Sequence, residues 1–448
     1  MRPLFYFLLL LSPFAAFSQS SFELKDLQLP DVQRYVLQLN LGTVQESNFA
    51  YSSTNKQNHE FGFNFSTTYQ GYKNFRYKQT FSSAGFELSP TLISSRNSLS
   101  SNADRNKSLL TGGSYRIEQY FYNQQYQFIG YTASVHGNFS GNTTNADLAI
   151  RNEKSSYNTG VDGLFHFGIG RLDPIDQGQM AFFMLRDLKR DYALSKDASA
   201  DDFVALSSLI ATLNRVRNFD ARWRRIEQAE ALDSFFKNRG LIEHSTAAFY
   251  TRVYDNFFFT NSVSRINGIR WKIGIGPNFN RDFDFERSSG QSANQTVNQI
   301  DLDLVIQREA YGQISNYVQQ KSLYTLAYAR ETDFQRNWNS LVPTSSELER
   351  TQSFVSLFAE RSYGFYPTTR TYVNIGANAG TFSPADSLIS KRINFNAAVR
   401  ANGYYYISPA TRLSFSVRVA STMRLNSLTQ NESDFITQFN IRLLHNIF

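Results

Sequence analysis

Apolar and polar residues alternate with a period of two through most of the chain, which places successive side chains on opposite faces of β-strands. In Ile269-Arg270-Trp271-Lys272-Ile273-Gly274-Ile275-Gly276 the isoleucines and Trp271 share one face, and Arg270, Lys272 and the glycines share the other. Ile300–Leu304 repeats the pattern with Asp301 and Asp303. From Ile393 to Ile407, Phe395, Ala397, Val399, Ala401 and Tyr405 align, opposed by Asn394, Asn396, Arg400 and Asn402, with Arg392 just before. Leu413, Phe415, Val417 and Val419 oppose Arg412, Ser414, Ser416 and Arg418. The strands so predicted are close to the ~9–11 residues that cross a tilted bilayer, whereas soluble sandwiches use about 5–6.

Aromatic residues crowd the strand ends, as in Tyr120-Phe121-Tyr122, Phe365-Tyr366 and Tyr404-Tyr405-Tyr406, and they suggest interfacial girdles. Residues 1–18 read as a secretory signal peptide: Arg2, the apolar run Leu4–Leu11, and small residues Ala15, Ala16 and Ser18 ahead of a cut before Gln19. The last segment, Phe435–Phe448, ends on an aromatic residue. With these features the chain resembles the outer-membrane β-barrels of Gram-negative bacteria, whose final strand ends in an aromatic residue read by the insertion machinery. One departure is plain. Phe439, Ile441, Leu443 and Ile447 form the apolar face, while Phe448 falls in line with Asn440 and Arg442. The resemblance implies an all-β, antiparallel, up-and-down transmembrane barrel embedded in outer-membrane lipid.

In such barrels periplasmic turns are short and outer loops long. Counting back from Phe448 as periplasmic puts 424–434, 382–390, 332–350, 281–297, 141–156, 90–111 and 43–58 outside. Ser408–Ala410, Pro367–Thr369, Gly312–Asn316, Asn123–Gln125 and Gly71–Phe75 become inner turns, and Arg34–Leu41 the first strand. The count is about 14 strands, or about 12 if the first or a weak strand (76–89, 317–331) lies elsewhere. The expected organisation is 1–18 signal peptide, 19–170 first part of the barrel, 171–264 helical periplasmic insert, and 265–448 second part of the barrel.

The insert breaks the pattern. Met180, Phe183, Met184, Leu188 and Tyr192 follow helical spacing. So do Phe203, Leu206, Ile210, Leu213 and Val216, and then Ile226, Ala229, Leu232, Phe235 and Phe236. Asp197, Ser199 and Asp201 offer N-cap chemistry, Gly240 marks a helix end, and Ser245–Phe258 reads as a fourth helix. The helices plug the lumen, form a subdomain that docks a periplasmic protein, or are an accessory stabilising bundle without a binding role. Arg215, Arg217, Arg222, Arg224 and Arg225 are a basic cluster, either a solvated helix face or a site for an acidic partner.

Composition narrows the chemistry. The 448 residues include 45 Lys+Arg against 38 Asp+Glu, a net charge of +7, and no Cys. Disulfides, thiolate metal sites and a cysteine nucleophile are excluded, and neither cofactor nor metal is expected. Nucleic acid has no place in this compartment. Among the five His, His136 and His166 face the lumen on adjacent predicted strands and are the best lead to a rim hydrolase, but no enzymatic role is expected. Asp282, Asp284 and Glu286 alternate at an outer loop base, as a solvated edge or a divalent-ion holder. Inward charges are expected at Arg270, Lys272, Arg392, Arg400, Arg412, Arg418 and Arg442, opposed by Asp301, Asp303, Glu309 and Glu118. A surplus of inward cations points to a channel or porin-like protein for small polar or anionic solutes; if the opposite charges pair instead, they close the lumen and leave a rigid, non-conducting barrel. The alternative is a non-transporting scaffold whose insert binds a periplasmic partner.

Overall fold

The computed structural model describes residues 23, 24, 27, 32–50, 56–97, 103–146, 150–214, 221–258, 265–288, 291–340, 346–384, 393–408, 411–425 and 432–445. The signal segment and Phe448 lie outside them. Among the described residues fourteen strands form one antiparallel sheet in simple chain order. They are β1 Val32–Ala50, β2 Lys56–Phe75, β3 Lys78–Asn97, β4 Ala103–Tyr122, β5 Gln127–Ala146, β6 Ile150–Pro174, β7 Ile266–Ser288, β8 Gln291–Ser315, β9 Val318–Asn339, β10 Ser346–Thr368, β11 Thr371–Pro384, β12 Ile393–Tyr406, β13 Thr411–Leu425 and β14 Glu432–His445. Between β6 and β7 stand four helices: α1 Asp176–Arg190, α2 Ala200–Leu213, α3 Ala221–Asn238 and α4 Ala247–Phe258. Among the described residues no ladder joins β1 to β14, so the expectation of a closed cylinder goes further than the sheet observed.

The sheet curls tightly nonetheless. Adjacent strands lie ~4.8 Å apart, so strands three or four places apart in a flat sheet are separated by roughly 14 to 19 Å. Yet Asn74 on β2 donates to Asp173 on β6 at 3.0 Å, and Lys272 on β7 reaches Glu118 on β4 at 3.5 Å. Strong curvature gives the sheet a concave inner face and a convex outer one.

The convex face is apolar. Ile129, Phe165, Phe167, Ile275, Leu302, Leu304, Leu326, Leu357, Val399, Ile441 and Leu443 all stand exposed. Soluble monomers seldom expose contiguous apolar patches beyond several hundred Å², so a belt running from strand to strand requires lipid. At the helix-bearing end cations sit over outer-face rings: Lys78 over Phe121, Arg308 over Trp271 and Tyr324, and Arg361 over Tyr363, at 5.1 to 5.9 Å. Long basic stems that reach from an aromatic ring to the headgroup layer mark a bilayer interface.

The opposite ends of the strands correct the expected loops. β8 continues through Gln291–Asn298 and β9 through Asp333–Asn339, and β4 already begins at Ala103; 90–111, 141–156, 281–297 and 332–350 are therefore mostly strand. A 20-residue strand spans roughly 65 Å, or about 50 Å after tilt, against an apolar band ~25 Å tall. Beyond the band both faces meet water, so the backbone ladder continues with no alternation to announce it. The first strand likewise runs Val32–Ala50 rather than Arg34–Leu41, and β6 continues to Pro174, into the span assigned to the insert.

Aromatic runs at the other ends divide between the faces. Phe121 and Tyr405 point outward, whereas Tyr120, Tyr122, Tyr366 and Tyr406 are buried. Period two forces this: neighbours in one strand cannot share a face, so only half of each run can belong to a girdle.

Candidate functional site

The inward tyrosines build a collar, and the insert fills it. Tyr366 and Tyr372 belong to the same buried core as Phe182, Phe183, Met184 and Leu188 of α1, Leu206 and Ile210 of α2, and Phe249 and Val253 of α4, with Tyr317 and Tyr404 packed against it. A surface helix buries one stripe and shows the other to water. α1 instead buries every residue from Asp176 to Leu185, so no side of its first turns meets solvent. The sequence explains the close fit at Gly178, where a Cβ would overlap Leu27 of the N-terminal segment and crowd Leu24.

Polar contacts tie this floor to the strand turns. Leu24 N–H donates to Asn316 Oδ1 in the β8–β9 turn at 3.0 Å. Arg186 donates to Pro367 O at 3.2 Å and lies over the Tyr317 ring. Arg370 in the β10–β11 turn pairs with Asp255 of α4 at 2.5 Å, and Thr369 bonds Asn256 at 3.2 Å. α2 lies against β1. Arg265, fully buried, donates to Gln313 Oε1 at 2.7 Å, Asn316 O at 2.7 Å and Ser315 O at 2.9 Å. Burial pushes its guanidinium down to about 10, still protonated at neutral pH. Within the insert, Arg252 hydrogen-bonds Asp191 and holds that carboxyl below its ordinary range.

Met180, Phe183, Met184 and Leu188, which helical spacing aligns, are buried together with the rest of the first turns of α1, and Leu232 and Phe236 are buried on α3. Ser199 is the N-cap of α2, in a capping box with Asp202. Two positions depart from the expected faces. Tyr192 is 95 % exposed, because α1 stops at Arg190 and Tyr192 terminates it with φ 55°. Ile226 is also exposed, on the outer side of α3. Of the basic cluster, Arg215 and Arg217 lie outside the described residues, as do the side chains of Arg222 and Arg224; Arg225 is exposed on α3.

Above the floor the inner face is polar. Arg270 pairs with Glu309 at 2.9 Å and lies 4.2 Å from the Tyr120 ring centroid. Lys272 pairs with Glu118. Glu360 on β10, which the alternation does not single out, accepts from Lys321 Nζ at 3.1 Å and also bridges to Arg400. The surplus of unpaired cations read from the sequence is thus smaller: Arg270, Lys272 and Arg400 each meet a carboxylate, because register brings acids from nearby strands beside them. Asp301 accepts from Gln299 at 3.1 Å and Asp303 from Asn278 at 2.5 Å, amides rather than cations. They share the inner face with Asp162, Glu331 and Asp333, and Asp301 stands directly opposite Glu331. Arg412 lies over the Tyr404 ring at 5.4 Å. Arg418 is exposed on β13, and Arg442 donates to Asn440 at 3.3 Å on β14. Arg392 lies outside the described residues.

The histidines do not meet. His166 pairs across the ladder with Gly130, and His136 with Gly160; six positions along β5 separate them by roughly 20 Å. His166 is buried beside Tyr120, ring centroids 4.8 Å apart. Among the described residues no group of three His, Asp or Glu side chains is placed to hold a metal ion. Asp282 instead accepts from Asn158.

No protein-family model matches this chain, and no curated protein matches it. Among solved structures it is similar to the translocator domain of autotransporter NalP from Neisseria meningitidis, at TM-score 0.30 and 8 % identity, covering 84 % of this chain and 88 % of that one. It is similar to the transport unit of the autotransporter AIDA-I from Escherichia coli, at TM-score 0.29 and 9 % identity over 88 % and 94 % of the two chains. The TodX monoaromatic hydrocarbon channel is similar at TM-score 0.30 and 10 % identity over 95 % and 92 %.

Proposed function

We propose that the chain is exported, closes from β1 to β14 in the outer membrane, and works as a gated conduit for small polar solutes, with the helical insert as its periplasmic floor. An apolar convex face with an open edge leaves backbone groups unpaired in hydrocarbon, at several kcal/mol each, and closure removes that cost. The observation that carries the gating is the burial of α1 beneath the tyrosine collar. A constitutive porin, the simpler expectation from the lumen charge, has no reason to bury a helix there. Passage then requires α1 to move, and the turns it touches are where the movement starts.

Planar-bilayer recordings test this. The full chain is expected to stay mostly closed with brief openings, and a chain lacking 176–263 to conduct continuously. A deletion chain that inserts, shows the heat-dependent gel shift of a folded barrel and stays silent contradicts the proposal. That outcome favours a second reading, a scaffold that binds a periplasmic partner. Tyr192 supports it, since an exposed aromatic in the left-handed region is a costly way to end a helix unless something covers it.

A further inference from the structure

We infer that the inner wall around Arg400 and Arg418 binds a small hydroxylated carboxylate. The inference deepens the conduit reading by naming a solute class. Arg400 on β12 and Arg418 on β13 stand directly opposite in the ladder. Like charges so placed repel. Glu360 relieves Arg400 in part, but it is shared with Lys321 and lies two strands away from Arg400 on β10, so three cations face a single carboxylate. Arg400 remains 41 % exposed despite its ion pair, and Arg418 has no ion pair or hydrogen bond among the described residues. Between the level where Ala398, Ala420 and Ile436 align and the β12–β13 turn, the inner positions of β12, β13 and β14 carry Arg400, Arg412, Arg418 and Arg442 and no acid.

Two cavities meet at Arg400. One, of about 620 Å³, is lined by both arginines with Asn402, Ser416, Gln438 and Asn440. The other, of about 380 Å³, shares Arg400 and Asn402 and descends past Glu360 and Asn374 to the collar tyrosines Tyr366 and Tyr372. Two guanidinium forks favour one planar carboxylate, which accepts from both and cancels their repulsion. The amides and Ser416 supply donors and acceptors for hydroxyl groups. A neutral sugar leaves the arginine pair uncompensated, and a bare oxyanion leaves the amide wall unused. Asp301, Asp303, Glu331 and Asp333, on the inner face of β8 and β9, repel the same ligand and keep it on the basic side.

The test is isothermal titration of the full chain in detergent with glucuronate, glucose and inorganic phosphate. Glucuronate is expected to bind at least ten-fold more tightly than either of the others. Arg418→Gln is expected to weaken it ten-fold or more with unchanged thermal unfolding, and Arg418→Lys to weaken it less. Equal affinity for glucuronate and phosphate, unchanged affinity in Arg418→Gln, or no binding to protein that shows the folded-barrel gel shift each overturns the site. Conductance separates the two readings: channels that open while glucuronate fails to bind leave the conduit standing and remove the site. Binding to a chain that is silent with and without its insert does the reverse.

Discussion

Glu360→Ala is expected to destabilise the protein by about 3 kcal/mol, near the lower end of what removing one partner of a buried ion pair costs. The side chain is 7 % exposed and is bridged to both Lys321 and Arg400. Its loss leaves two facing cations without a counter-charge. The lower end applies because both cations line a cavity of about 380 Å³ rather than a packed core. Glu360→Gln keeps the shape and some hydrogen bonding, and about half the effect should remain. Adding Lys321→Met to Glu360→Ala should recover stability, since one cation is then removed with the acid. Urea unfolding in micelles measures all three; an Ala variant within about 0.5 kcal/mol of the parent, the scale of an exposed pair, contradicts the buried-pair reading.

Phe183→Ala should act on the floor and leave the wall intact. Phe183 is fully buried; its ring lies 5.9 Å from that of Tyr317, and the Arg186 guanidinium covers it at 4.6 Å. Truncating such a side chain costs about 3–5 kcal/mol. The loss falls on the seam between α1 and the strand turns, so the insert should become sensitive to protease while the strands keep their gel shift. Openings in bilayer recordings should become at least several-fold more frequent. An insert as protected as the parent's, with unchanged opening, shows that α1 is not the gate.

The sheet was legible where one side of a strand meets lipid. Ile269–Gly276 and Leu413–Val419 show their faces in the sequence because the two environments differ most there. Beyond the apolar band, as in Gln291–Asn298, both faces meet water and the sequence carries no period. The alternation does not mark Glu360, because Arg361, on the outer face beside Tyr363, places a second charge next to it. The helices were legible from Met180, Phe183 and Leu188. Their docking was not: Leu24, Leu27, Arg265, Tyr317 and Tyr366 come from distant parts of the chain, and only the fold brings them together. The ion pairs at Arg270, Lys272 and Arg400 depend likewise on register between strands, which inward parity alone does not specify.

If the convex face lies in hydrocarbon, a tryptophan placed on it reports the lipid directly. Replacing the three native tryptophans, Trp223, Trp271 and Trp338, with Phe leaves a background for one reporter at a time. Phe165→Trp, on the outer face at a position 68 % exposed, should emit in the blue and be strongly quenched by lipids brominated in their acyl chains. Asn138→Trp, on the inner face, should be untouched by those lipids and quenched by aqueous iodide. Iodide quenching at both positions, with no effect of brominated lipid at 165, would mean that the sheet does not lie in a membrane.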